Sequence, residues 1–207
     1  MKRLIALCLM VGMLLTQAWA EENAFDNAVL EETENCYVYL SDNGVDTVVR
    51  PLNQPYMGTV EMEGAELIAY LDYVEMPNED VTVLRLLLAL TVPEHLAASE
   101  VTVTVGKKDY IFSVKPMITE YDTTYYEDYA LCMTDESLPM IKAMARAKGD
   151  SFSVRFSGDV SLTGTITLPN ADVADIYDRY IDLGGERQGL EWLREQYPIR
   201  TADSGAK

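Results

Sequence analysis

The single histidine of this chain is the first place to look for catalytic chemistry. His95 lies in the segment Pro93-Glu94-His95-Leu96. A serine or cysteine nucleophile needs a histidine as its general base, and neither Cys36 nor Cys132 is near His95 in the sequence. A lone histidine after a strand end is more often a loop residue or the first residue of a helix. The sequence therefore favours a non-enzymatic role.

The sequence gives equally little support for a metal or cofactor site. A zinc site needs three or four closely spaced ligands, which one histidine and two distant cysteines do not supply. The stretch Asp42-Asn43-Gly44-Val45-Asp46 alternates oxygens as a calcium loop does, but it lacks the twelve-residue frame and the closing glutamate. We interpret it as a hairpin turn. No glycine-rich phosphate loop is present, so we expect no metal and no cofactor.

Carboxylates and tyrosines leave two further possibilities. The 34 acidic residues make carboxylate pairs inevitable, so a carboxylate-based hydrolase stays open as an alternative. Tyrosines interleaved with acids can stack on sugars or anchor a protein partner. The other interpretation, which the alternation favours, is that these tyrosines pack on the core while the acids face water. The candidate ligand-binding residues are Tyr121, Tyr125, Tyr126 and Tyr129.

Two cysteines follow the N-terminal segment. Cys36 and Cys132 can form a disulfide, which an exported protein permits, or they can be two buried thiols. The sequence does not supply the Cα geometry that a disulfide requires. Both alternatives stay open.

The first twenty residues have the order of a cleavable secretory signal. Lys2 and Arg3 precede the apolar run Leu4–Leu15, and Ala18-Trp19-Ala20 places small residues three and one before the cleavage point. The run is shorter than the ~20 residues of a membrane span. The net charge of −18 repels nucleic acids and anionic lipid surfaces. We therefore expect a secreted or periplasmic protein without nucleic-acid binding, and without membrane attachment after cleavage.

The rest of the chain has the pattern of a β-rich domain. We expect an acidic linker or weak helix over 21–34, one domain over 35–197 and a disordered tail over 198–207. Apolar alternation with turn residues between the runs predicts antiparallel strands. They cover 36–40, 45–50, 67–74, 81–92, 101–105, 110–114, the tyrosine-rich segment through Met133, 152–156 and 160–168. Pro51, Pro55 and Gly58 indicate an irregular connection.

Helical spacing begins only late in the chain. It predicts one helix through Leu138, Ile141 and Ala145, and another from an Asn170 N-cap to Gly184-Gly185. A short third helix is expected at Leu190–Leu193. The fold class is therefore α+β, with a β-rich, sandwich-like antiparallel sheet or sheets and two or three helices in the C-terminal half.

The order of these elements over residues 98–185 resembles a loosely defined family of exported bacterial proteins without an assigned activity. The resemblance lies in the valine strand with Gly106 and Tyr110-Ile111-Phe112, the acidic tyrosine strand, Ala145-Arg146-Ala147, Val154-Arg155-Phe156-Ser157-Gly158 and a helix closed by Gly184-Gly185. It implies an exported surface or envelope protein and supplies no catalytic residues. Many such relatives look like lipoproteins, whereas this chain lacks a lipobox.

We therefore expect a non-enzymatic exported domain that binds a protein or glycan partner at the cell envelope. The missing catalytic set and the tyrosine-rich strand support this expectation. The alternatives are the carboxylate-based hydrolase and a scaffolding component of the envelope.

Overall fold

The computed structural model describes residues 29–32, 35–40, 46–77, 81–134, 136–183 and 199–203, with residues 29–32, 40 and 199–203 as backbone only. Its strands are β1 (Val29–Glu32), β2 (Cys36–Leu40), β3 (Thr47–Pro51), β4 (Tyr56–Val60), β5 (Glu66–Met76), β6 (Val81–Val92), β7 (Glu100–Val105), β8 (Lys108–Ser113), β9 (Met117–Glu120), β10 (Tyr125–Cys132), β11 (Ser151–Ser157), β12 (Ser161–Thr167) and β13 (Ile199–Asp203). Its helices are α1 (Leu138–Ala145) and α2 (Asn170–Asp182). The predicted signal, the turn at Asn43-Gly44, the Gly184-Gly185 terminus and the helix at Leu190–Leu193 lie outside the described residues.

The described strands form one continuous antiparallel sheet that curls in its middle. The first half-sheet has the order β9-β10-β6-β5-β3-β2-β1, and the second half-sheet has the order β12-β11-β7-β8-β13. β4 joins them, because Tyr56 and Met57 pair with β5 while Gly58–Val60 pair with β12. The predicted β-rich antiparallel sheet, with helices in the C-terminal half, is confirmed.

The joint at β4 requires glycines. A Cβ atom on Gly58 would lie 2.9 Å from the Leu67 side chain and from the carbonyl oxygen of Thr165, and one on Gly164 would lie 2.6 Å from the carbonyl oxygen of Thr59. The prediction of an irregular connection here was wrong for residues 56–60. The strand forms because both neighbouring sheet edges offer backbone partners.

The longest strands follow the predicted alternation. One face of β6 carries five fully buried side chains, Leu84, Leu86, Leu88, Leu90 and Val92. β7 and β8 form the predicted hairpin, in which Gly106 takes a left-handed φ of +66° that suits glycine in a tight turn. One core cluster contains buried residues from both half-sheets and from both helices. The rings of Tyr129 on β10 and Phe156 on β11 are 5.0 Å apart.

Helix α2 packs on β3, β5 and β6, and α1 packs on α2 and β7. Polar contacts fix α2 as well, since Tyr56 donates its hydroxyl proton to Asp172 over 2.7 Å. Burial, helped by Asp172, raises the pKa of Tyr56. The predicted N-cap was wrong, because Pro169 is the N-cap residue and the Asn170 amide instead donates to the carbonyl oxygen of Met144. That bond ties the start of α2 to the end of α1.

Two segments predicted to be irregular contain strands. Residues 29–32, expected in a linker or weak helix, form β1 on the edge of β2. Residues 199–203, expected in a disordered tail, form β13 on the edge of β8. In both places an available strand edge supplies hydrogen-bond partners that the local sequence pattern does not reveal.

Candidate functional site

Strands β9 and β10 form a hairpin at one end of the first half-sheet. The backbone amide of Tyr121 donates to the carbonyl oxygen of Thr124 over 2.8 Å, so Asp122 and Thr123 make the turn. The prediction of a single strand across the tyrosine-rich segment was therefore wrong. The chain reverses here because aspartate and its polar neighbour suit a tight turn. The reversal places β9 beside β10 as an edge strand.

The hairpin separates the four candidate tyrosines. Tyr121 is 56% exposed, whereas Tyr129 is fully buried against Phe156. Tyr125 and Tyr126 are half-buried and lie on opposite faces of β10, as neighbours in a strand must. Tyr129 therefore belongs to the core, and three of the four candidates reach the surface.

Glu127 is the residue of this region that the sequence analysis missed. Its carboxylate is fully buried and accepts hydrogen bonds from the Tyr129 hydroxyl and from the amides of Leu96 (2.8 Å) and Ala97 (3.0 Å). Burial by itself raises the pKa of Glu127, but these bonds and one from His95 outweigh it and hold the pKa below its usual value. The sequence did carry a signal for this residue. Glu127 lies two positions from both Tyr125 and Tyr129, so the strand pattern places an acid on the same face as these two tyrosines.

His95 lies above this buried carboxylate. Its Nδ1 is 2.7 Å from Oε1 of Glu127, and its side chain is 44% exposed. Its ring stacks on Tyr125 with centroids 5.3 Å apart. The sequence prediction of a loop residue is confirmed, since His95 follows β6 in the connection to β7.

The chemistry of this cluster favours a structural role. Glu127 uses its two oxygens to hold the backbone of Leu96 and Ala97, and Ala97 itself has a positive φ of 41°. The described contacts of His95 are a carboxylate and a tyrosine ring, and neither is the serine or cysteine nucleophile for which a histidine acts as general base. The cluster therefore pins the connection between the two half-sheets to β10. We call Glu127, His95, Tyr125 and Tyr129 the Glu127 cluster.

A second buried carboxylate lies on the opposite face of the first half-sheet. Asp72 on β5 is fully buried and contacts two guanidinium groups, with 2.6 Å to Arg50 and 2.6 Å to Arg85. The Arg50 guanidinium also lies over the rings of Tyr39 and Tyr70, 5.4 and 4.6 Å from their centroids. Burial by itself lowers the pKa of Arg85, but the charge of Asp72 outweighs it and raises that pKa. We call Arg50, Asp72 and Arg85 the triad. It joins β3, β5 and β6 through one carboxylate.

The two cysteines are both buried and are not bonded to each other. Cys36 belongs to the main core, and Cys132 packs with Val81 and Val83 in a separate cluster. The Cys36 thiol donates to Asp175 over 3.3 Å. Burial and this bond raise the pKa of Cys36 to about 12. Since the thiolate is the reactive form, Cys36 is an inert thiol in the folded protein.

We therefore expect neither cysteine to react with iodoacetamide in the native protein at mildly alkaline pH, and both to react after unfolding in guanidinium chloride. The physical reason is that burial excludes the reagent and disfavours the thiolate. Intact-mass spectrometry before and after unfolding measures the number of adducts. A Cys36–Cys132 disulfide peptide in a non-reducing digest would contradict this expectation.

The described residues offer neither a metal centre nor a helical membrane span. No group of three or more histidine, cysteine, aspartate or glutamate side chains there is arranged to hold a metal ion. Asp46, at the end of the candidate calcium loop, is described, but residues 41–45 are not. Neither described helix has the length and apolar character needed to span a bilayer.

Comparison of the chain with protein-family models, with curated proteins and with solved structures found no match. The resemblance of residues 98–185 to exported bacterial proteins therefore stays a prediction.

Proposed function

We propose that the protein is a non-enzymatic binding module that takes up an extended segment of a partner protein along strand β9. The observation that supports this most strongly is the exposure of that strand. All four residues of β9 are exposed, and Met117 is 68% and Ile118 40% exposed. With Tyr121, residues 117–121 present three large apolar side chains to solvent. Met117 and Tyr121 lie on one face of the strand and Ile118 lies on the other. Exposed apolar side chains therefore flank the open edge on both faces, as at an interaction site.

The backbone of β9 supports the same proposal. Hydrogen bonds alternate along an antiparallel pair, and the pair Tyr121–Thr124 is a hydrogen-bonded one. By this alternation Thr119 bonds to β10, whereas the amides and carbonyls of Ile118 and Glu120 point away from it. Within the described residues β9 pairs only with β10. A peptide strand can therefore add at this edge, with its own backbone as the hydrogen-bonding partner.

The composition of this edge differs from that of a protected one. Natural edge strands are guarded by short length, lysine, proline, bulges or inward-pointing charges. Lys115 and Pro116 precede β9, but its own four residues, Met-Ile-Thr-Glu, include neither lysine nor proline. Glu120 and Asp122 are exposed beside it, and the whole chain carries a net charge of −18. This charge opposes pairing with a second copy of the same chain and favours a basic partner. We therefore commit to a basic, extended peptide segment rather than to a glycan.

The cellular setting and the finer architecture belong to the proposal too. The signal-like order of residues 1–20 and the resemblance of residues 98–185 support export to the envelope or the exterior, with a partner in that compartment. The contact of Tyr129 with Phe156 across the core supports a sandwich-like packing of the two half-sheets. We propose both on these grounds.

The test uses the peptide Thr-Lys-Thr-Val-Val-Thr, blocked at both ends, and the full chain. We expect it to shift the backbone amide NMR signals of Ile118 and Glu120 first, because these groups face the open edge. Ile118→Pro removes one outward amide without breaking the ladder to β10, so it should weaken binding at least tenfold. Ile118→Ala is the matched control, which loses the side chain and keeps the amide.

Three outcomes would overturn the proposal. The first is the absence of shifts in β9 at saturating peptide. The second is binding of an oligosaccharide panel that is lost in Tyr121→Ala, which would assign a glycan instead. The third is turnover of a glycan or peptide panel that is abolished by substituting His95 or one carboxylate, which would assign the hydrolase alternative.

A further inference from the structure

We infer that the open edge of β9 selects its partner by sequence. The partner segment pairs antiparallel to β9, and it requires a basic residue followed two positions later by an apolar residue. The inference rests on the proposed function and names the chemistry of the partner. It follows from the register of β9, which places two different side chains on one face. Those side chains are Ile118 and Glu120.

The register is given by the pairing with β10. Glu120 lies opposite Tyr125, and Ile118 lies opposite Glu127. Tyr125 and Glu127 point to the face of β10 on which the Glu127 cluster is built, so Glu120 and Ile118 point to that face as well. Met117 and Thr119 point to the other face. The open edge thus offers an acid and an aliphatic side chain, in a fixed order, beside a rigid cluster.

Cross-strand neighbours determine which partner side chains fit. A residue directly opposite Glu120 has its Cβ about 5 Å away, close enough for an opposite charge to be favourable and a like charge unfavourable. A residue opposite Ile118 is favoured when it is β-branched or otherwise apolar. An antiparallel partner runs from the Glu120 end to the Met117 end, so the basic residue comes first and the apolar residue two positions later.

The Glu127 cluster keeps this register rigid. The stacking of His95 on Tyr125 and the bond from His95 to Glu127 hold the strand that β9 pairs with. A slip by one residue would exchange the faces of Ile118 and Thr119. Because β10 is fixed between β6 and β9, the order of side chains at the open edge is fixed too.

A charge reversal tests the inference. Glu120→Lys should weaken binding of Thr-Lys-Thr-Val-Val-Thr about three- to tenfold and strengthen binding of Thr-Glu-Thr-Val-Val-Thr by a similar factor. Asp122→Lys is the matched control, because it makes the same change in net charge from the turn outside the strand ladder. It should change both affinities by less than Glu120→Lys does. Fluorescence anisotropy with labelled peptides measures all six combinations of the three proteins, wild type included, with the two peptides.

A third peptide tests the direction of the partner segment. The reversed order Thr-Val-Val-Thr-Lys-Thr should bind the wild-type protein more weakly, since antiparallel pairing cannot then place lysine at Glu120 and valine at Ile118. Equal binding of the two orders, or equal effects of Glu120→Lys and Asp122→Lys, would overturn the inference while leaving strand addition intact. Loss of all amide shifts in β9 would instead overturn the proposed function itself.

Discussion

Asp72→Ala is expected to lower the free energy of unfolding by about 3–5 kcal/mol, the range for breaking a buried ion pair. The carboxylate of Asp72 is fully buried and faces Arg50 and Arg85 at 2.6 Å each. Without it, two arginine side chains that are only 19% and 28% exposed have no counter-charge from Asp72. Urea denaturation followed by circular dichroism measures the change.

Two further variants separate the charge from the packing. Arg85→Met alone should cost less than Asp72→Ala, because Arg50 still neutralises the carboxylate. Asp178→Ala, an exposed aspartate on α2, should change stability by no more than about 0.5 kcal/mol. A loss of less than about 1 kcal/mol in Asp72→Ala would show that the arginines escape into water and that the triad contributes little.

Glu127→Gln is expected to lower the free energy of unfolding by about 2–3 kcal/mol near neutral pH, since hydrogen bonds to a charged group are worth about 1.5–3 kcal/mol. In the wild type the two carboxylate oxygens of Glu127 accept hydrogen bonds from Tyr129, Leu96, Ala97 and His95. A glutamine offers only one acceptor oxygen to the same donors. Its amide group also faces some of those donors with its own protons. The matched control is Glu120→Gln at an exposed position of the same hairpin.

The same substitution predicts a pH dependence. The pKa of Glu127 is lower in the folded protein than its usual 4.5, so its contribution is fully present above about pH 4.5 and is lost as the pH falls through the lower folded value. The stability difference between wild type and Glu127→Gln should therefore shrink on acidification from about pH 7 to about pH 3. A difference that stays constant, or grows, over that range would contradict a buried ionised carboxylate.

Much of the strand pattern could be predicted from the sequence because it is local. The alternation in β6 and in the β7–β8 hairpin gives each strand one buried face, and those residues are buried as expected. The helical spacing around Leu138 and Ile141 also gave the right element. These patterns report which side of a segment avoids water, and that needs no knowledge of the neighbouring strand.

The candidate site could be predicted only in part. The sequence drew attention to the tyrosine-rich segment, but it did not distinguish Tyr129 in the core from Tyr121 at the surface. The turn at Asp122-Thr123 decides this, because it divides the segment into an edge strand and an inner one. Nothing in the local sequence pattern singled out Ile118, which lies in the edge strand β9.

The amino-acid sequence alone determined the β-rich class, the late helices, the acidic charge and the signal-like first twenty residues. The tertiary structure decided which residues meet. It brought Glu127 to the backbone of Leu96 and Ala97, Asp72 to Arg50 and Arg85, and β1 and β13 to available edges. The physical reason is that burial follows from each segment's own periodicity, whereas hydrogen bonds and ion pairs between distant residues depend on strand order and register, which the local pattern does not encode.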